Sequence, residues 1–323
     1  MKKQTRRLKN QMRTTFLQVW RPFVCVRTTF EFVFARFFVV GATFAALWLR
    51  VCRNKSLSLP ILMRNENLSP TYRIEHLSTG YGGKALSRDI SATLHSGELT
   101  CLIGVNGAGK STLLRTMAGL QPALGGSIEL MGEPLSHYDV RELARLVSVV
   151  LTDEVPEQNL TAYELVAMGR MPYTNYWGTL RQRDRRIVDH SLSLVGMKNF
   201  AARRIHSLSD GERQKLMIAK ALAQDTLAIL LDEPVAFLDF PSKVGVLKLL
   251  RRVAREQQKA VLLSIHDIEL ALQVADHLWV LDGHKCVEGK PREMAQAGRL
   301  DFLFRSKDIV FDRETLQYKL KAE

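Results

Sequence analysis

The sequence predicts an α/β fold built on a parallel sheet, with a phosphate-binding loop at one edge of that sheet. Three observations carry this expectation. A glycine-rich stretch, Gly104-Val105-Asn106-Gly107-Ala108-Gly109-Lys110-Ser111, lies between a short apolar run and a helix start and fits the P-loop pattern. A second apolar run, residues 227–231, ends in Asp232-Glu233. From about residue 212 to 290, helical and apolar stretches alternate as strands joined by helices do.

The first 64 residues differ in kind from the rest. They hold 13 Lys and Arg against one acid, Glu31, whereas the remaining 259 residues hold 33 bases and 32 acids. The formal charge of +13 therefore belongs almost wholly to the N-terminal piece, and the near-neutral remainder offers no surface for reading nucleic acid. Residues 1–70 form a basic, apolar extension whose longest uncharged run, residues 37–49, is 13 residues. A membrane span needs about 20. Lengthening the run back to Phe32 takes in Arg36, which is costly in lipid. Three readings stay open for this extension: a poor membrane anchor, a membrane-surface segment, or a poorly ordered stretch outside the natural product. The last is favoured, because a start at Met63 leaves the whole downstream pattern intact. The apolar run has no clear cleavage site after it, which argues against a signal peptide. Four Cys, at 25, 52, 101 and 286, are too scattered for a disulfide framework or a zinc site, and Cys101 reads as a small buried hydrophobe.

From Tyr72 the elements follow in order. Residues 72–75 begin a strand, and residues 99–103 are the buried strand that feeds the loop. Glycines let the loop backbone turn its N–H groups inward, and the helix start behind it adds partial positive charge. Gly104, Asn106, Gly107, Ala108, Gly109 and Thr112 then line the phosphates, Lys110 reaches the β- and γ-phosphates, and Ser111 offers its hydroxyl to Mg²⁺. Residues 127–131 and 147–151 read as strands, and about 153–211 as mostly helical, including 162–168 and 183–195. Ser209 and Glu212 make a capping box for the helix that continues through residues 216–223. Asp232 is delivered to the sheet's C-terminal edge, where an acid holds Mg²⁺, and Glu233 beside it is placed to polarise the attacking water. Residues 260–265 form another buried strand, closed by His266, and residues 278–281 with the turn Asp282-Gly283 complete the sheet. The tail, residues 291–323, holds a helix and a short alternating stretch from Ile309 and is too short for a regulatory domain; residues 306–323 are its C-terminal end beyond the cassette.

These landmarks, in this order, resemble the ATP-binding cassette (ABC) ATPases over about residues 72–290. Leu208-Ser209-Asp210-Gly211-Glu212 is similar to that family's Leu-Ser-Gly-Gly-Gln signature. The resemblance implies a P-loop NTPase cassette over residues 71–305. Its parts would be a RecA-like parallel-sheet core, an antiparallel β subdomain and a helical subdomain inserted at about 153–211. It also implies that Tyr81 stacks on adenine, that Asp239 after Leu238 lies in a loop touching the partner, and that His266 is a switch at the γ-phosphate. Ser209, Gly211 and Glu212 of one chain would close over ATP held by the P-loop of the other. ATP and Mg²⁺ are thus the implied cofactors, and ATP glues a homodimer that parts on hydrolysis. One cassette in one chain implies separate transmembrane permease subunits and a substrate-binding protein, no nucleic-acid partner, and a peripheral place on the cytoplasmic face of the inner membrane.

Two positions depart from the family. Thr152 stands where a Gln normally touches Mg²⁺ and the water, so its hydroxyl, or the Asp153 carboxylate, would have to order that water. Asp210 replaces a signature Gly and would repel a phosphate unless it turns outward. Residues 167–173, Ala-Met-Gly-Arg-Met-Pro-Tyr, resemble the Gly-Arg-x-Pro stretch, followed by His or Tyr, of iron–siderophore, haem and cobalamin importer cassettes. The expected function is the ATP-hydrolysing subunit of a bacterial importer of that class. Thr152 and Asp210 motivate one alternative, a nucleotide-switched module with weak hydrolysis. The other is a soluble non-transport ABC ATPase, disfavoured because the chain lacks heptads, zinc cysteines and a second cassette.

Overall fold

The computed structural model of the chain describes residues 70–151, 159–282, 285–304 and 309–320. The readings made for residues 1–69, for Thr152 and Asp153, and for Gly283 lie outside these residues.

β1 (Tyr72–Tyr81) and β2 (Lys84–Leu94) form an antiparallel hairpin. β3 (Leu99–Gly104) leaves it and leads through the glycine-rich loop into helix α1 (Lys110–Met117). β4 (Gly125–Leu130) and β5 (Glu133–Pro134) return to β1, giving an antiparallel sheet ordered β2-β1-β4-β5. α2 (Val140–Leu146) is opened by a capping box between Asp139 and Glu142 and precedes β6 (Val147–Val150). Then come α3 (Ala162–Ala167), α4 (Gln182–Leu194) and α5 (Asp210–Gln224), followed by β7 (Ala228–Leu231), α6 (Phe240–Gln257), β8 (Ala260–Ser264), α7 (Ile268–Val274) and β9 (His277–Leu281). β10 (Cys286–Gly289) and α8 (Pro291–Gln296) follow. The second sheet has the order β10-β9-β3-β8-β7-β6, with β10 antiparallel and the other five parallel.

The parallel strands are buried on both faces, which is why they read as continuous apolar runs. Along β7, Ala228 and Leu230 face a cluster shared with the antiparallel sheet and with Leu113, Leu114 and Met117 of α1. Ile229 and Leu231 face the larger cluster packed by α5, α6 and α7. Cys101 joins that larger cluster, and burial pushes its thiol well above the usual range. Two elements depart from the expectation. α2 had not been expected, and the sheet does not end at Leu281. Asp282 turns the chain by accepting the Lys285 N–H at 2.7 Å, and β10 adds an edge strand. β10 is half-buried and carries Glu288, bonded to Thr93, so no apolar run announced it. Beyond α8, β11 (Ile309–Asp312) and β12 (Gln317–Leu320) form a hairpin, and Leu316 is buried in the larger cluster. Among the described residues, no helix is long and apolar enough to cross a membrane.

The Gly-Arg-x-Pro-Tyr stretch is a 3-10 turn, Met168–Tyr173, packed against α5, α3 and α2. Arg170 is buried there. It donates to Asp184 at 3.0 Å and to the Ala223 carbonyl at 2.8 Å, and its guanidinium lies 4.0 Å from the centre of the Tyr173 ring. A Cβ at Gly169 would come within 2.3 Å of the Lys220 carbonyl, so only glycine allows this approach to α5. Removing one partner of a buried, hydrogen-bonded ion pair strands the other charge. Arg170→Ala should therefore lower stability by about 3–5 kcal/mol in urea unfolding. Arg170→Lys should fail to restore it, since a compact ammonium lacks the planar spread of donors that reaches both acceptors while stacking on the ring.

Candidate nucleotide site

The ends of β3, β7 and β8 build the site. β3 delivers the loop, whose shape needs glycine at two points. Gly109, at φ +91°, caps α1, and a Cβ there would lie 2.7 Å from the Ser87 hydroxyl, which donates to the Ala108 carbonyl at 2.7 Å. A Cβ on Gly104 would lie 2.5 Å from the Leu281 carbonyl. The first turn of α1 contains no acid, so its leading N–H groups and the positive end of the helix face an anion without competition. Asn106 and Gly107 are exposed at the loop crest, Ala108 is buried beneath it, and Ser111 and Thr112 follow in the first turn of α1. Lys110 is the first residue of that helix. Its ammonium donates to the carbonyls of Gly104 at 3.0 Å and Val105 at 3.3 Å. Burial pushes the Lys110 pKa down, while Glu233 and Asp232 pull it back up, so the ammonium and both acids share one electrostatic environment.

β7 delivers the acids. Asp232 is only 2 % exposed, and its N–H donates to the Val150 carbonyl at 2.8 Å. Glu233 sits at φ +48°, a left-handed conformation uncommon for a residue with a Cβ. The Glu233 carboxylate lies 2.6 Å from Nε2 of His266, just past the end of β8. A carboxylate only accepts, so Nε2 carries the proton in this pair. Sequence reasoning missed Ser264. Its hydroxyl donates to Asp232 Oδ1 at 2.7 Å and accepts the Glu233 N–H at 2.8 Å. The signal was present: one hydroxyl in an otherwise apolar buried strand must find partners. Ser87 carried no comparable mark.

The structure brings Lys110, Asp232, Glu233 and His266 together and holds the signature elsewhere. Ser209 and Glu212 form the expected capping box, and hydrogen bonding from the Ser209 N–H holds the Glu212 carboxyl below its usual range. The Glu212 carboxylate is thus committed to its own helix. Asp210 is exposed and pairs with Arg213, which offsets its charge. Gly211 packs against Leu238, so the signature turn touches the loop that leads to Asp239, the residue that precedes α6. Among the described residues, no hydrogen bond or ion pair joins Ser209, Asp210, Gly211 or Glu212 to the Gly104–Thr112 loop. Tyr81 is 54 % exposed at the end of β1, on the same hairpin as Ser87.

Comparison with known proteins places the chain in a family. The family pattern described as "ABC transporter" matches residues 87–236. An ABC transporter ATP-binding protein of Methanocaldococcus jannaschii is 38% identical over 77% of this chain and 86% of its own length. The iron(3+)-hydroxamate import ATP-binding protein FhuC of Bacillus subtilis is 36% identical over 75% of this chain and 90% of its own. A solved putative metal-chelate type ABC transporter, in an inward-facing conformation, superposes with a TM-score of 0.64 at 25% identity, covering 78% of this chain and 96% of that one.

The loop geometry is directly testable. Gly109→Ala places a Cβ at positive φ against Ser87, which should lower stability by about 1–3 kcal/mol. It should also weaken ATP binding in fluorescence titration far more than it shifts the melting temperature.

Proposed function

The chain belongs to the ABC transporter ATP-binding proteins, and on that premise we propose how its own residues perform the hydrolysis that drives an importer. The protein is an ATPase whose turnover is coupled to transport. Subunits of this kind dimerise and work with membrane-spanning permease partners. The observation that carries the mechanism is the gathering of Lys110, Asp232, Glu233 and His266 at one edge of one parallel sheet.

ATP lies with its phosphates along the N-terminus of α1. Lys110 exchanges the loop carbonyls for the β- and γ-phosphates, and Tyr81 stacks on the adenine. Ser111 and Asp232 would hold Mg²⁺, a hydroxyl and a carboxylate being the hard oxygens that suit it. Bound there, it would neutralise charge on the phosphates. Glu233 accepts a proton from the attacking water. The water oxygen bonds to the γ-phosphorus while the bond to the β,γ-bridging oxygen breaks. His266 holds the Glu233 carboxylate through its Nε2–H, at the edge where the γ-phosphate lies. Ser209, Gly211 and Asp239 of a second copy of this chain close the other side of the nucleotide.

The cargo class is a metal chelate: a ferric siderophore, haem or cobalamin. The Gly169-Arg170-Met171-Pro172-Tyr173 stretch supports it, as do the relative named for iron(3+)-hydroxamate import and the solved metal-chelate type transporter. A substrate-binding protein hands over the cargo, and this chain works from the cytoplasmic face of the membrane, where ATP is.

Mg²⁺-dependent hydrolysis by the full chain tests the assignment. Lys110→Ala should abolish turnover by losing the phosphates. Glu233→Gln should retain ATP binding, cut turnover by about 10²–10⁴-fold, and shift the chain to a dimer in size-exclusion chromatography with ATP. Wild-type turnover in Glu233→Gln would remove Glu233 from the base role.

A further inference from the structure

Glu233 is held at both ends by one strand terminus. The register that pairs Leu231 with Leu263 sets Ser264 beside Asp232, and His266 follows two residues later. Ser264 accepts the Glu233 backbone N–H at 2.8 Å, and His266 meets the Glu233 carboxylate at 2.6 Å. The same Ser264 hydroxyl donates its proton to Asp232 Oδ1 at 2.7 Å. A hydroxyl has one proton to give and lone pairs to receive, so this one side chain links the two acids in a fixed order: Glu233 N–H to Ser264 to Asp232. Ser264 is fully buried, so water cannot stand in for either partner. The peptide it grips is the one whose residue adopts φ +48°, a conformation that persists only where surrounding contacts impose it.

We infer that Ser264 is a positioning residue of this ATPase, fixing the rotation of the Asp232 carboxylate and the backbone of Glu233 so that metal ligand and base stand in one geometry. The inference rests on the roles of Asp232 and Glu233 proposed above. A hydroxyl that orients a metal-binding carboxylate is an outer partner of the metal, and loss of such a partner weakens metal affinity or activity by about 10-fold or more.

Three substitutions in the full chain separate orientation from packing. Ser264→Ala removes the hydroxyl. Ser264→Thr keeps it, and Ser264→Val has the shape of the Thr variant without it. The readouts are kcat, the Mg²⁺ concentration for half-maximal binding of a fluorescent ATP analogue, binding of that analogue in EDTA, and the melting temperature. Ser264→Ala and Ser264→Val should each lower kcat and raise the Mg²⁺ requirement by about 10-fold. Binding in EDTA should stay at the wild-type value, and Ser264→Thr should restore both altered parameters. Equal behaviour of the Thr and Val variants, or a wild-type Mg²⁺ requirement in Ser264→Ala, would overturn the inference. Asp232→Ala serves as reference. If it raises the Mg²⁺ requirement and Ser264→Ala does not, only the role of Ser264 fails. If it too leaves the requirement unchanged, the reading of Asp232 itself fails.

Discussion

The site depends on three parallel strands ending together in register. β3, β8 and β7 are neighbours, with Leu102 opposite Ser264 and Leu231 opposite Leu263. Because the strands are parallel, their C-terminal ends share one edge, where such sheets bind ligands. Lys110, Asp232 and His266 meet there although more than 30 residues separate each from the next in sequence. The alignment is enforced by the core. A slip of one residue would turn Ile229 and Leu231 toward the α1 cluster and Leu230 away from it, exchanging two differently shaped packings. The alternation of apolar side chains therefore aligns the charges.

Once the strands are aligned, low polarity makes each charge demanding. Burial disfavours the ammonium of Lys110, and Asp232 and Glu233 stabilise it. The loop carbonyls that Lys110 now occupies are weak substitutes for a triphosphate, whose oxygens carry full charge. The loop thus keeps its cation close to two acids and bonded to neutral acceptors. The left-handed backbone of Glu233 belongs to the same economy of position, a local cost tolerated because Ser264 and His266 pin both ends of the residue.

Much of this was legible in the sequence because each element carried a local signature. The glycine loop, the apolar run ending in two acids and the Ser209-x-x-Glu212 cap are patterns of a few residues governed by short-range physics, and the structure places each where it was read. What escaped depended on partners distant in the chain. Ser264 meets Asp232 and Glu233 across 31 or 32 residues, and Ser87 meets Ala108 across 21. β10 is a half-buried edge strand and has no apolar pattern to announce it. Residues 167–173 were read by resemblance alone, and Arg170 now supplies the physical reason for that stretch: a buried guanidinium that ties the 3-10 turn to α4 and α5.

The placement of α5 explains why a single chain holds only half of the proposed site. Its first turn, with Ser209 and Gly211, rests against Phe237 and Leu238 and makes no bond to its own phosphate loop among the described residues. Its last turn is gripped by Arg170 through the Ala223 carbonyl, and Gln224 donates to the carbonyls of Ala144 and Val147. After three intervening residues β7 begins and carries the chain to Asp232. The signature end therefore cannot fold back to its own loop without breaking the contacts that fix the acid-bearing strand. Ser209 and Asp210 at the start of α5 are exposed, and so are the rings of Phe237 and Phe240. In the proposed dimer, a second copy in the opposite orientation would supply to each loop the helix end that the first chain cannot turn toward itself.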